Sequence, residues 1–177
     1  MTEPTDTAAT ADTDLAGIAT GIIDANVYVT IACVDEHGSP WASPVFYATA
    51  DAVDFYWMSS PLTRHSRALA VRPEVSLLIF DSTAAPLTGD ALVMTADAAQ
   101  IADGDEAALA RALAVFPGPA GRGGRPVRVE QVSGDSPYRM YRARAREWFV
   151  QCPWGDGGCA AHGLTYDHRI AVDLAAS

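Results

Sequence analysis

The stretch Val27–Ser82 decides the fold, and it reads VYVTIACVDEHGSPWASPVFYATADAVDFYWMSSPLTRHSRALAVRPEVSLLIFDS. Its aromatic and β-branched residues form short runs, and the groups DEHG, ADA and RP separate these runs. Runs of this length and composition favour β-strands, whereas the groups between them favour tight turns. The stretch therefore predicts a β-meander with a short polar helix before its last strand.

Two features of the sequence indicate where individual strands of this meander lie in the sheet. Pro44 lacks the N–H that a β-ladder needs, so the second strand is expected at a sheet edge or bulge. Glu74–Phe80 is the least polar run and is expected to be buried on both faces. The predicted strands are Val27–Val34, Trp41–Ala48, Val53–Met58 and Glu74–Phe80, and the predicted helix is Thr63–Val71.

The same signals extend the pattern to both sides of the meander. Many short strands with few helices predict a mainly β domain, an antiparallel barrel with flanking helices. We expect residues 15–177 to form this single domain and residues 1–14 to form a disordered acidic tail. The further predicted helices are Leu15–Ala25 and Asp105–Phe116, and the further strands are Ala91–Ile101, Pro137–Gln151 and His168–Leu174.

Charge and composition exclude several classes of function. The chain has 177 residues, a formal net charge of −10 and twelve basic residues, all of them arginine. An acidic protein is poorly suited to general binding of nucleic acid or anionic membranes. The absence of lysine excludes Schiff-base chemistry and a Walker-type phosphate lysine. Any phosphate must be held by arginine, histidine, hydroxyl groups or backbone N–H groups.

The sequence also carries signals of cellular location. No run of 18 apolar residues occurs, so no membrane span is expected. The first residues are acidic and lack an apolar core, which is unlike a secretory signal peptide. The three cysteines offer no even disulfide framework, and a cytoplasmic location is expected.

The segment SSPLTRHSRAL has the properties of an anion site. A helix that begins near Thr63 presents unpaired N–H groups and the positive end of its dipole. Arg64 and Arg67 add guanidinium groups that suit phosphate, and His65 adds a further donor when it is protonated. Ser59 and Ser60 contribute hydroxyl groups. The alternative is an ordinary capped surface helix with solvated arginines.

The order of WASPVFYA, FYWMSS, TRHSRAL and RPEVSLLIF resembles that of the pyridoxamine-phosphate oxidase-like, FMN-binding family. The stretch Tyr138–Val150 (YRMYRARAREWFV) is similar to the closing strand of that family, so the resemblance covers roughly residues 20 to 150. It implies a six-stranded antiparallel split β-barrel. It also implies a homodimer with two cofactors at its interface and a small-molecule substrate.

Carried over position by position, the resemblance implies a set of cofactor-binding residues. The strand that lies along the flavin ring corresponds to residues 43–48, and the family's phosphate-binding Arg-Lys pair corresponds to Arg64 and His65. Two charged residues of the family are missing, because His65 replaces a lysine and Ser43 replaces an arginine. The cofactor-binding residues expected are Ser43, Pro44, Val45, Phe46, Met58, Ser59, Ser60, Arg64, His65 and Arg67.

The resemblance implies a flavin- or deazaflavin-dependent oxidoreductase, with FMN as the first expectation and F420 or haem as the others. The alternatives are a non-catalytic binder of flavin, haem or another small ligand, and an assembly protein without cofactor. The sequence assigns no catalytic acid or base. The candidate proton donors are Tyr47, His65 and Tyr141.

Two further clusters have both a functional and an ordinary interpretation. Arg142, Arg144 and Arg146 share one strand face, as the wall of an anionic pocket or as a salt-bridged surface. Cys152, Cys159 and His162 have no standard zinc spacing and no evident fourth ligand, so no metal is expected.

Overall fold

The computed structural model describes residues 14–85, 89–119, 121, 123–152, 162–166 and 168–175. The tail predicted for residues 1–14 lies outside this part of the chain, apart from Asp14. Cys159 lies outside it as well.

Eight antiparallel strands form one sheet, in the order β2-β1-β5-β6-β7-β4-β3, with β8 paired to β7. β2 and β3 lie at opposite ends of this order, yet only Tyr47 separates them in the chain. The sheet must therefore curl back on itself, which produces the half-barrel. The strands β1 to β8 are Tyr28–Val34, Pro40–Phe46, Ala48–Thr49, Asp54–Ser59, Glu74–Phe80, Ala91–Gln100, Arg139–Gln151 and Arg169–Val172.

The predicted fold class, a mainly β split barrel with flanking helices, is confirmed. The strand count is eight rather than six, because the second predicted strand divides at Tyr47 and the short β8 joins the sheet. The expected edge position of Pro44 is also confirmed, since β2 ends the strand order.

In the described part of the chain three α-helices flank the sheet, and each begins after a residue whose side chain caps it. No helix in the described ranges has the length and apolar character needed to cross a membrane. The helices are α1 (Leu15–Ala25), α2 (Arg64–Val71) and α3 (Glu106–Val115), and their caps are Asp14, Thr63 and Asp105.

The core fills the inner face of the curled sheet. β1 buries Val29, Ile31 and Cys33 at alternate positions, as the sequence pattern predicts. Near the centre, the Trp57 and Tyr141 rings stack with their centroids 5.5 Å apart. Residues of α1 and α2, among them Ile23 and Leu69, are buried in this core.

The prediction that β5 is buried on both faces is wrong. Leu77 and Ile79 are buried inside, but Leu78 is only half-buried and Phe80 is exposed. The run is apolar because both sheet faces are apolar here. Among the described residues no helix covers the outer face of β5, so its apolar side chains remain partly accessible.

We predict that Leu77→Ala lowers the free energy of unfolding by about 2–5 kcal/mol, because it leaves a cavity in a fully buried position. The matched control Leu62→Ala removes the same atoms from an exposed side chain. The control should change the free energy by no more than about 0.5 kcal/mol. Urea denaturation measures both, and equal effects would contradict the assignment of the inner face.

Candidate functional site

The turn between β1 and β2 meets the first turn of α2 in a group of residues that we call the hairpin–helix corner: Asp35, Glu36, Trp41, Arg64 and Arg67. Arg64 donates from Nε and Nη2 to Asp35 Oδ2, at 3.0 and 2.5 Å. The carboxylate of Asp35 is only 2% exposed, while the Arg64 side chain is 39% exposed. A buried carboxylate therefore orients a half-exposed guanidinium.

Asp35 is held as a carboxylate by a full set of donors. Its Oδ1 accepts backbone N–H groups from His37 and Ser39, each at 2.9 Å. The hydrogen bond from Arg64, followed by these backbone bonds, lowers the pKa of Asp35 to about 2. Gly38, with φ of +84°, completes the tight turn that brings these donors to the carboxylate. The group is thus ionised throughout the physiological range.

Trp41 links Arg64 to the sheet. The Arg64 guanidinium carbon lies 4.3 Å from the centre of the Trp41 ring, within the range of a cation–π contact. The indole N–H donates to Ser43 Oγ at 2.8 Å. Arg64 uses two of its N–H groups on Asp35, and a guanidinium has five donors. The remaining donors are oriented and partly exposed, so they can bind an anion.

Arg67 is paired in the same way but less tightly. Its Nε donates to Glu36 Oε1 at 3.2 Å, and its Nη1 donates to the carbonyl of Leu62 at 2.7 Å. Two arginines and two acids therefore meet in the corner, and their formal charges cancel. This balance weakens the attraction for a doubly charged phosphate, compared with two unpaired arginines.

His65 points into the protein and not toward a ligand. The residue is 7% exposed, and its Nε2 lies 3.0 Å from Ser59 Oγ and 3.2 Å from Thr63 Oγ1. Burial lowers the pKa of His65, so the ring is neutral at pH 7. The neutral ring adds no positive charge at the start of α2, where its contacts lie. The assignment of His65 as a cofactor-binding residue stays a prediction.

A groove of 670 Å³ crosses the outer face of the sheet beside the corner. Trp41 is one of its lining residues and carries the stacked Arg64 guanidinium, whereas Arg64 itself does not line the groove. β2 is an edge strand, so the backbone groups on its outer side have no strand partner in the described sheet. Residues that line the groove include Val34, Trp41, Ala42, Ser76, Thr95 and Arg146.

Strand alternation divides the predicted cofactor residues of β2 between two faces. Ser43 and Val45 pair with the inward-facing Ile31 and Val29 of β1, whereas Pro44 and Phe46 lie on the other face. Phe46 packs edge-on against Phe116, 5.7 Å between ring centres. Only Ser43 is tied to the corner through its side chain, by the bond from Trp41.

The remaining predicted residues fall into two groups. Ser59 is buried with His65, and Ser60 caps the turn before α2 by accepting from the N–H of Leu62 at 3.3 Å. Met58 is half-exposed and lies on the opposite face of β4 from Ser59, because neighbours in a strand alternate. The structure thus gathers Ser59, Ser60 and His65 around the α2 start and leaves Met58 apart.

The two tyrosines proposed as proton donors lie in the core. The Tyr47 hydroxyl donates to the carbonyl of Ile23 at 2.8 Å, and the Tyr141 hydroxyl donates to Gln100 Oε1 at 3.2 Å. Burial raises the pKa of Tyr141. Both side chains are buried in the described structure, which does not favour a role as proton donor to a ligand in the groove.

The arginines of β7 form a salt-bridged surface, which is the ordinary one of the two interpretations. Arg142 and Arg144 lie 3.9 and 3.3 Å from the carboxylate oxygens of Asp54. Arg146 lies 3.1 Å from Asp97 and also lines the groove. Arg146 therefore marks the far side of the groove with a second, partly exposed guanidinium.

The acids Asp35 and Glu36 were interpreted from the sequence only as turn residues. One signal for their role was present, because arginines in the first turn of a helix meet the unfavourable end of its dipole. Such arginines need acidic partners. Nothing in the sequence alone showed that these partners are 29 and 31 positions away.

Residues 19–152 match the family model described as Pyridoxamine 5'-phosphate oxidase. No curated protein matches the sequence significantly.

Several solved structures have a similar fold. A heme-binding protein from Mycobacterium smegmatis shares 22% identity at a TM-score of 0.59; the match covers 87% of this chain and 55% of that protein. The chain therefore spans about half the length of that protein. The heme storage protein HutZ from Vibrio cholerae shares 20% identity at a TM-score of 0.60, over 76% of this chain and 92% of that chain.

A third similar structure is a FAD-binding protein from Mesorhizobium loti, with 19% identity and a TM-score of 0.55. That match covers 76% of this chain and 92% of the other. At these identities the likeness shows the fold that the three proteins share with this chain.

We predict that Asp35→Asn removes an acid-sensitive part of the protein's stability. The pKa of Asp35 is about 2 in the folded protein and 3.8 ordinarily, so its contribution is present above about pH 4 and is lost as the pH falls through about 2. Melting temperatures across this window should fall more steeply for the wild type than for the variant.

The matched control is Asp24→Asn, which changes an exposed carboxylate on α1. This variant should follow the acid dependence of the wild type. Equal slopes for the wild type and Asp35→Asn would contradict the role given to the buried carboxylate.

Proposed function

Because the chain belongs to the pyridoxamine 5'-phosphate oxidase family, whose model matches residues 19–152, we propose that it is an oxidoreductase. It binds FMN, or the deazaflavin F420, and acts on a small organic molecule. The observation that carries the proposal is the groove beside the hairpin–helix corner. Its 670 Å³ lie within the range of about 300–1,000 Å³ that is usual for ligand sites.

The residues present fit such a cofactor in part. Arg64 offers oriented guanidinium donors beside Trp41, which lines the groove, and Ser60 offers a hydroxyl group near the start of α2. The outer backbone edge of β2 offers N–H and C=O groups to a ring laid along it. His65 does not fit, because it is buried and neutral. The phosphate is then held chiefly by Arg64.

A bound flavin or deazaflavin supplies the hydride or electron transfer, and the protein supplies binding, orientation and electrostatics. Arg64 binds the phosphate oxygens, and the Asp35 carboxylate keeps the guanidinium in place. Trp41, on which Arg64 stacks, lines the groove together with the apolar Val34 and Ala42. Arg146 presents a second positive charge to the substrate end. No tyrosine of the core takes part in proton transfer.

The family resemblance implies a homodimer, and we also propose that its two chains associate through the outer face of the sheet. Thr30, Leu78, Val93 and Phe149 are in register across four neighbouring strands, and all four are partly accessible. This row adjoins exposed Phe80 at the end of β5. An apolar row of this kind is suited to a protein interface. Association there would cover the groove and complete the site.

A non-catalytic binder of haem or another small ligand is the second candidate. The observation that favours it is the charge balance of the corner, where Asp35 and Glu36 neutralise Arg64 and Arg67. Such a corner selects less strongly for a dianionic phosphate. Two proteins with a similar fold are described as heme-binding and heme storage proteins, which supports testing this ligand.

Titration of the purified protein with FMN, F420 and haem tests these alternatives. We expect FMN or F420 to bind at micromolar concentration, seen as quenching of the cofactor's fluorescence. A haem spectrum without flavin or deazaflavin binding would overturn the proposed oxidoreductase in favour of the second candidate. Failure of all three to bind would overturn both.

The same titration tests the role of Arg64. The variant should carry Arg64→Gln together with Asp35→Asn, so that no buried carboxylate is left unpaired. Affinity for the phosphate-bearing cofactor should fall by about 10- to 150-fold, as expected for a hydrogen bond with a charged partner worth about 1.5–3 kcal/mol. Arg128→Gln, at a strongly exposed ion pair, is the control and should leave the affinity unchanged. Equal losses of affinity in the two variants would contradict the assignment of Arg64 as the phosphate-binding residue.

We predict that Val93→Arg converts a dimer to a monomer, because it places a charge in the middle of the apolar row. Sedimentation equilibrium measures the mass in solution. Val129→Arg changes a valine that is exposed elsewhere on the surface, and it should leave the dimer intact. A wild-type protein that is monomeric at high concentration would refute the proposed interface.

A further inference from the structure

Three metal-ligating side chains converge where β7 ends and β8 begins. The ligand atoms of Cys152, His162 and His168 all lie within 4.8 Å of one another. Cys152 Sγ is 4.0 Å from His162 Nδ1, and the two imidazole rings meet edge-on at 5.0 Å between centres. We propose that these three residues bind one metal ion of the zinc class. The proposal does not rest on the cofactor groove.

Sheet pairing fixes two of the three ligands. Gln151 and Arg169 are the last paired residues of β7 and β8. The next backbone contact is the N–H of Cys152 donating to the carbonyl of His168 at 2.9 Å. Cys152 and His168 therefore face each other by the register of the sheet and not through a loop. Such preorganisation suits a metal site, since less freedom is lost on binding.

His168 supplies an independent indication of a ligand. Both of its ring nitrogens are buried, and neither has a hydrogen-bond partner among the described residues. A buried polar atom without a partner costs about 1–3 kcal/mol, so proteins rarely leave two on one ring. A metal ion between His168 and Cys152 would satisfy one nitrogen directly. A site of this kind accounts for the burial of the His168 ring nitrogens.

The donor set selects the metal. One thiolate and two imidazoles are typical ligands of Zn²⁺, at about 2.3 Å for sulfur and about 2.0–2.1 Å for nitrogen. Tetrahedral bonds of these lengths place ligand atoms roughly 3.3–3.7 Å apart. The present separations, 4.0 Å between Cys152 Sγ and His162 Nδ1 and at most 4.8 Å within the group, therefore need to close by up to about 1.5 Å. On binding, the Cys152 thiol loses its proton to solvent, and the thiolate coordinates the ion.

The spacing of Cys152, Cys159 and His162 gave no reason to expect a metal, because no fourth ligand was evident. The structure adds His168, which the sequence pattern had placed only in a strand. Cys159 lies outside the described residues, and the proposed site consists of Cys152, His162 and His168. The ion would join β8 to β7 and stabilise the C-terminal edge of the sheet.

Zinc titration of untagged, chelator-treated protein tests the proposal. We expect one Zn²⁺ per chain by elemental analysis and a higher melting temperature on adding zinc. Co²⁺ should give a thiolate-to-cobalt charge-transfer band, which only a cysteine ligand produces. His162→Ala is the first variant, because His162 is exposed and its loss does not threaten folding. His168→Ala and Cys152→Ser follow.

Each ligand variant should lower zinc affinity by more than the roughly 10- to 100-fold that the loss of an outer-shell contact costs. The matched controls are His37→Ala, at an exposed histidine, and Cys33→Ala, at a buried cysteine. Both controls should keep one zinc per chain. Absence of zinc binding, or zinc binding that survives His162→Ala and His168→Ala, would overturn the proposal.

Discussion

The buried carboxylate of Asp35 needs hydrogen-bond donors at its fixed position, and this need determines how the neighbouring turn and helix are arranged. The group is held by two backbone N–H groups of its own turn and by the Arg64 guanidinium of α2. Arg72, at the other end of α2, donates to the backbone carbonyl of the same residue. Both ends of the helix are thereby fixed to one turn. The position of α2 against the sheet follows from that turn.

This constraint shapes what the corner can bind. An arginine that neutralises a buried acid cannot move to a ligand, so the ligand has to come to the arginine. The stacking of Arg64 on Trp41 fixes the orientation in which the guanidinium donors are presented. Because Glu36 pairs with Arg67, the corner carries little net charge. Shape and orientation, more than total charge, then decide which anion is held.

Much of the fold could be predicted because it depends on local chemistry. The helix Leu15–Ala25 and the strand Glu74–Phe80 have the predicted boundaries, since capping residues and a proline mark them. The two-sided burial expected for β5 was wrong, because apolar residues signal low polarity but not which element covers them.

The candidate site was harder to predict because it depends on contacts between distant residues. A motif shows that His65 follows Arg64, but only packing shows that the ring turns inward to Ser59. Likewise, the pairing of Arg64 with Asp35 joins positions 29 apart. A family pattern transfers positions, whereas burial decides the direction in which each side chain points. The residues that changed their expected role are therefore those whose neighbours belong to another element.

The alternation of side chains along β2 limits which of the predicted residues one ligand can contact. Ser43 and Val45 face inward with β1, while Pro44 and Phe46 face the other way, so no ligand on one face can contact all four side chains. What the four positions share is the free backbone edge of the strand. A ring held along that edge contacts main-chain atoms, although Pro44 offers no N–H there. The presence of Ser43 in place of a charged residue then changes the electrostatics of the site without removing the surface on which a ring is held.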